Sequence, residues 1–172
     1  MAQAQAEWVW STLWSAATAA DAPDELVRLA AMVGIVRVSR ARRAEVLALT
    51  TGSYRPRARR LTVARTKWGR IHTVPVDDDL HAVLRKWMRV RGRLVEAHVE
   101  GGAVDALFVT VHHTMWRGAR GAVTKQVGLP LDEQGLLLSW KRWAARTNAE
   151  QAGRYGWVPL PTRFEQVRRA WG

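Results

Sequence analysis

The chain contains no cysteine, which excludes disulfides and thiolate metal sites. It has few lysines, only Lys67, Lys86, Lys125 and Lys141; its other basic residues are arginines. Phenolic hydroxyls are scarcer still, with Tyr54 and Tyr155 alone. No apolar run approaches the roughly 20 residues that a membrane span needs. The apolar stretch near the start follows no basic segment and is interrupted by Glu7, which argues against a secretory signal. There is no internal repeat and no low-complexity segment. Acidic residues are also in short supply: 15 of them face 27 basic ones, for a formal net charge of +12.

That imbalance is the first positive observation. A GC-rich genome accounts for arginine in place of lysine, but not for the excess of basic over acidic residues. A polyanionic partner does account for it, and arginine suits bidentate contacts to phosphates and base edges. A length of 172 residues, 48% of them hydrophobic, suffices for one domain with a real core, expected over 1–172. The ten tryptophans mostly fall on helix-like apolar stripes and read as core. Trp68 and Trp116, beside arginines, are the candidates for stacking on bases.

Apolar spacing predicts helices over 4–19, from about Asp24 to Gly34, over about 78–97 and over about 132–147, with a last helix from Thr162. Asp21-Ala-Pro-Asp-Glu reads as one helix start, and Asp77-Asp78-Asp79 as another. Thr162 and Glu165 have the spacing of a capping box. Residues 35–39 are ambiguous. Ala106 to Val111 reads as a short strand and 112–128 as a glycine-bearing cationic loop. His112 and His113 lie in it without further ligands at metal spacing, so no metal site is expected. Arg85, Arg89 and Arg93 recur every four residues as a basic, solvated ridge. The fold class expected is mainly α with a small antiparallel sheet.

The stretch from Arg42 to Pro75 organises the rest. Arg42 and Glu45 share one face of a helix that continues through Val46, Leu47 and Leu49. A basic connection carries Arg55, Arg57, Arg59 and Arg60. Two strand-like runs follow, 61–66 and 70–76, joined at Lys67-Trp68-Gly69, where Gly69 can take the positive φ of a tight turn. Lys67 thus sits near a hairpin tip, with Arg65 and Arg70 beside it.

In this order, Arg-x-x-Glu-x-x-x-Leu, a lysine-bearing hairpin about 25 residues on and Thr73-Val74-Pro75 resemble the first half of a tyrosine recombinase (phage integrase) catalytic domain. Leu107-Phe108 resembles the family's Leu-Phe-Pro strand without its proline. The resemblance covers roughly 24–110. It implies a catalytic-core-like fold, Arg42 and Lys67 at family catalytic positions, no cofactor, and double-stranded DNA as partner. Arg37, in Gly34-Ile-Val-Arg-Val-Ser, is the alternative first-motif arginine; spacing to Glu45 and Lys67 favours Arg42. DNA contacts are expected from Arg42, Arg57, Arg59, Arg60, Arg65, Lys67, Arg70, Arg117 and Arg120.

The second half fits less well. Family members cut DNA with a tyrosine hydroxyl while two arginines hold the phosphate and a His-x-x-Arg motif supplies the second of them. Laid on that motif, Pro161-Thr-Arg-Phe-Glu puts Thr162 at the histidine and Glu165 at the arginine, with Arg163 or Arg168 as substitutes. The helix over 161–172 is thus a degenerate second motif. Neither tyrosine falls where the nucleophile is expected. The resemblance therefore implies a DNA-binding relative acting in recombination or integration of mobile-element DNA, unable to cleave alone. A divergent or truncated recombinase completed by a partner subunit is the enzymatic alternative, and a basic protein-interaction module is the third; besides DNA, the partners expected are a recombinase or a second copy of the chain. The expected location is the cytoplasm, at the nucleoid.

Overall fold

The computed structural model describes residues 1–65, 69–118 and 121–172, and of 114–118 and 121–125 the backbone only. Helix α1 (Gln3–Thr18) and α2 (Asp24–Ser39) pack against α4 (Asp78–His98). The short α3 (Arg43–Leu47) leads to a sheet of β1 (Tyr54–Arg55), β2 (Arg60–Ala64) and β3 (Ile71–Pro75), antiparallel in the order β1-β2-β3. After α4 come a separate two-stranded ribbon, β4 (Thr114–Gly118) and β5 (Gly121–Lys125), then α5 (Glu133–Glu150) and α6 (Glu165–Ala170). Mainly helical with a small antiparallel sheet is the class expected.

α2 is the central helix, buried from Val27 through Val36 on nearly every side. It runs through Gly34, where a stop was expected, and the ambiguous 35–39 are its last turns. The reason is packing. A Cβ on Gly34 would lie 2.6 Å from both Leu80 Cδ1 and the Trp10 ring, so glycine lets α1 and α4 close on α2. That approach outweighs the cost of about 1 kcal/mol for a mid-helix glycine. The helix ends at Arg40, whose φ of 58° is left-handed and whose N–H returns to Val36 O.

α4 begins as expected, with the Asp77 carboxylate accepting from Leu80 N–H at 2.9 Å. Its inward side chains anchor the 104–109 segment. Trp87 Nε1 donates to Leu107 O at 2.8 Å, its ring stacks on Phe108 at 6.0 Å, and Arg91 Nε donates to Ala106 O at 2.8 Å. The expected strand over 106–111 is not regular. It is threaded between two other segments, bonding Leu49 O through Leu107 N–H and Leu129 O through Thr110 N–H, and registers only as isolated bridges. The hairpin β4–β5 lies within the expected loop.

The expected alternation in β2 holds: Leu61 and Val63 are buried, and Gly69 has a φ of +59°. Among the tryptophans, Trp10, Trp87, Trp140, Trp143 and Trp171 are core. Trp68 and the side chain of Trp116 fall outside the described residues. α6 starts at Glu165, and no side chain caps it. The Thr162 capping box does not form: Phe164 holds the N-cap position, two residues beyond Thr162, and the Glu165 carboxylate turns forward to accept from Arg168 Nε at 2.7 Å. No described helix is long and apolar enough to cross a membrane.

Candidate functional site

The start of α3 is held by one carboxylate. Glu45, 3% exposed, accepts from the Arg42 backbone N–H at 2.8 Å and from Arg65 Nη1 at 3.0 Å. Arg65 Nη2 also bonds Ser39 O and sits 3.0 Å from His72 Nδ1. Arg65 therefore welds β2 to the α2–α3 junction. The Arg42 side chain stays in solvent with no ion partner among the described residues.

Arg37 is placed differently. Its guanidinium lies 4.8 Å over the Trp10 ring and pairs with Asp77, the residue that caps α4. Its side chain is only 18% exposed. From this part-buried position it braces α1, α2 and α4.

α3 packs against α5, and Arg43 pairs with Glu133 at 2.9 Å. Beside this pair opens a cavity of about 430 Å³ between α3, α5 and the lead-in to α6. Its polar lining is Arg43, Gln134, Lys141, Thr162, Arg163 and Glu165, over a floor of Leu137, Leu138 and Phe164. The lead-in is fixed from α5. Asn148 bonds both Leu160 O and Leu160 N–H, at 3.0 and 2.7 Å, and Trp140 Nε1 donates to Pro161 O at 2.9 Å. The Trp140 and Phe164 rings meet edge to face at 5.9 Å. Glu165 is matched by Arg168 at 2.5 Å and Glu133 by Arg43, which leaves Lys141 and Arg163 as exposed cations without an ion partner among the described residues. The first-motif segment and the second-motif segment thus share one cationic hollow.

None of the remaining sequence candidates lines this hollow among the described residues. Arg57, Arg60 and Arg70 are exposed and make no ion pair among the described residues, whereas Arg59 is engaged by Asp78. Lys67 and Arg120, and the side chain of Arg117, lie outside the described residues.

The two tyrosines differ sharply. Tyr54 is 3% exposed, with its hydroxyl 2.7 Å from His81 Nδ1. Burial pushes its phenol pKa up, with Arg85 and Arg59 opposing. Burial, then Arg59 and Arg85, pull His81 below its usual value, with Asp78 opposing. Tyr155 is fully exposed, between Gly153 and Gly156. Neither lines the cavity.

Sequence reasoning missed Arg43, Lys141 and Gln134 as neighbours of the second motif. It also missed Arg28, a buried arginine that donates to Val109 O at 2.9 Å and to Ser139 Oγ at 2.8 Å. Burial lowers its pKa to about 10, partly offset by Glu25. Its place amid the apolar run of α2 is the one signal that marked it.

A family model described as the phage integrase family matches residues 12–172. Among solved structures, XerA recombinase superposes with a TM-score of 0.57 at 14% identity, over 94% of this chain and 46% of that one. The Tn1549 transposon integrase in complex with transposon right end DNA superposes with a TM-score of 0.61 at 14% identity, over 99% and 51%. The same integrase in complex with a circular intermediate DNA gives 0.52 at 14% identity, over 94% and 49%. The chain spans about half the length of these proteins. No curated protein matches it.

Proposed function

The chain belongs to the phage integrase family, and from that premise we propose that it binds duplex DNA through the cationic face around α3 and takes part in recombination or integration of mobile-element DNA without cleaving a strand by itself. The observation that carries this reading is the shared hollow, where Arg43 of the first-motif segment meets Thr162, Arg163 and Glu165 of the second. Arg42, Arg57, Arg60 and Arg70 are exposed, and together with Lys67, which the sequence puts between β2 and β3, they would offer cationic groups to a sugar–phosphate strand. Arg42 is the better first-motif arginine, because Arg37 is committed to Trp10 and Asp77. Arg59 and Arg65 contribute by holding the connection and the α3 start, and Arg117 and Arg120 are further proposed DNA contacts.

Absence of cleavage is supported by the tyrosines. A nucleophile must reach the phosphate with an activated hydroxyl. Tyr54 is buried with its pKa raised, and Tyr155 does not line the cationic cavity. The carboxylate of Glu165 stands at the motif position of a phosphate-binding arginine, and Arg163 beside it is the cation best placed to compensate.

A nicked suicide duplex tests both halves. The expected result is a retarded complex that dissolves in denaturant. A covalent adduct mapping to Tyr54 or Tyr155 overturns the non-cleaving half, and no retardation at low salt overturns DNA binding.

A further inference from the structure

β3 is the outer strand of its sheet, and its ladder to β2 fixes which backbone groups face outward. Arg65 N–H donates to Arg70 O at 2.8 Å and Val76 N–H to Arg59 O at 2.9 Å. In an antiparallel pair, bonded and non-bonded pairs alternate. His72 and Val74 therefore bond β2, while Ile71, Thr73 and the Pro75 carbonyl point their backbone groups away from the sheet. Among the described residues no strand takes them up. Ile71 and Thr73 are exposed, Ile71 at 74%. Both are uncharged, β-branched and suited to pairing. Natural edges are normally blunted by charge, proline or cover; within β3, Pro75 at its end is the one residue of that kind among the described residues facing outward.

The same chain carries a complementary deficit. β4 and β5 form a ribbon of two strands, joined to no third among the described residues. Such a ribbon is marginal alone and gains most from another strand. We propose that β3 is a docking edge for the β4–β5 ribbon of a second copy of this chain, so that one copy's three-stranded sheet continues into its neighbour's ribbon. The pairing is carried by main-chain bonds, with Ile71 and Thr73 setting its position. Two copies of net charge +12 repel one another, so pairing strengthens when a polyanion or salt screens them.

The test is a photo-crosslinker in place of Thr73, in an equal mixture of ¹⁴N- and ¹⁵N-labelled chains, at about 1 M salt where the screening length is about 3 Å. That condition needs no DNA, so its outcome is separate from the DNA-binding reading. The expected product is a mixed-isotope dimer whose crosslinked peptide lies within 114–125. Ile71→Pro removes one outward donor and leaves the β2 ladder whole, and should abolish the product. Should Ile71→Pro fail to fold, Ile71→Lys places a charge on the edge and should reduce the product at least tenfold. No mixed dimer, a product mapping elsewhere, or a product indifferent to the folded edge variant overturns the proposal.

Discussion

Replacing Glu45 with alanine separates a positioned cationic site from mere positive charge. The carboxylate accepts the Arg42 N–H at the start of α3 and pairs with Arg65 while only 3% exposed. Losing a helix cap costs about 1 kcal/mol. Breaking a buried ion pair costs about 3–5 kcal/mol, and the 22% exposure of the Arg65 side chain puts this pair below that range. The combined loss is about 3 kcal/mol, or a fall in Tm of about 6–12 °C for a domain of this size. Glu45→Ala with Arg65→Met should cost less than the two single changes added together, because they share one contact. DNA affinity gives the sharper readout. The substitution adds one unit to a net charge of +12, so charge alone predicts tighter binding. Positioning predicts weaker binding, because Arg42 and Arg43 lose their fixed backbone. Measured by calorimetry and by fluorescence anisotropy below the Tm, a shift under about 2 °C together with unchanged or tighter binding would refute the reasoning.

Gly34→Ala should destabilise by about 1–3 kcal/mol by overpacking against Trp10 and Leu80, despite alanine's better helix propensity; chemical denaturation measures it. Arg28→Met leaves Val109 O and Ser139 without their buried donor and should lower stability by about 2 kcal/mol, with duplex binding unchanged once the fold is populated. His81 has its folded pKa pulled below the usual 6.5, so the unfolded chain protonates first and stability drains away as pH falls through and below that value. His81→Gln should flatten that acid limb of a Tm–pH profile.

Local chemistry made much of the fold legible. Asp77 caps α4 as its position suggests, and Leu61 and Val63 alternate inward as a half-buried strand should. What stayed hidden depends on partners distant in sequence. Gly34 reads as a stop until Trp10 and Leu80 are seen to need the space of its absent side chain. The segment 106–111 carries strand residues, but its neighbours are irregular chain around Leu49 and Leu129, so no extended ladder forms. The Thr162–Glu165 spacing is that of a capping box, yet the helix starts at Glu165 itself, so Thr162 falls short of the cap position and Arg168 takes the carboxylate. At the site, the Arg42–Glu45 relation was readable as adjacent turns of one helix, although the bond runs through the Arg42 backbone. The pairing of Arg43 with Glu133 joins residues far apart in the chain and left no local trace.

The salt dependence of duplex binding bears most directly on the cationic face. Each phosphate contact contributes about 0.9 to the slope of log K against log salt on B-DNA. Arg42→Ala and Arg163→Ala should each lower the magnitude of that slope by about 1 and weaken binding evenly across sequences, while Arg37→Lys, part-buried in the α1–α2–α4 packing, should leave it unchanged. A wild-type affinity nearly flat in salt, or slopes for Arg42→Ala and Arg163→Ala equal to wild type, would contradict a DNA-binding face built around α3.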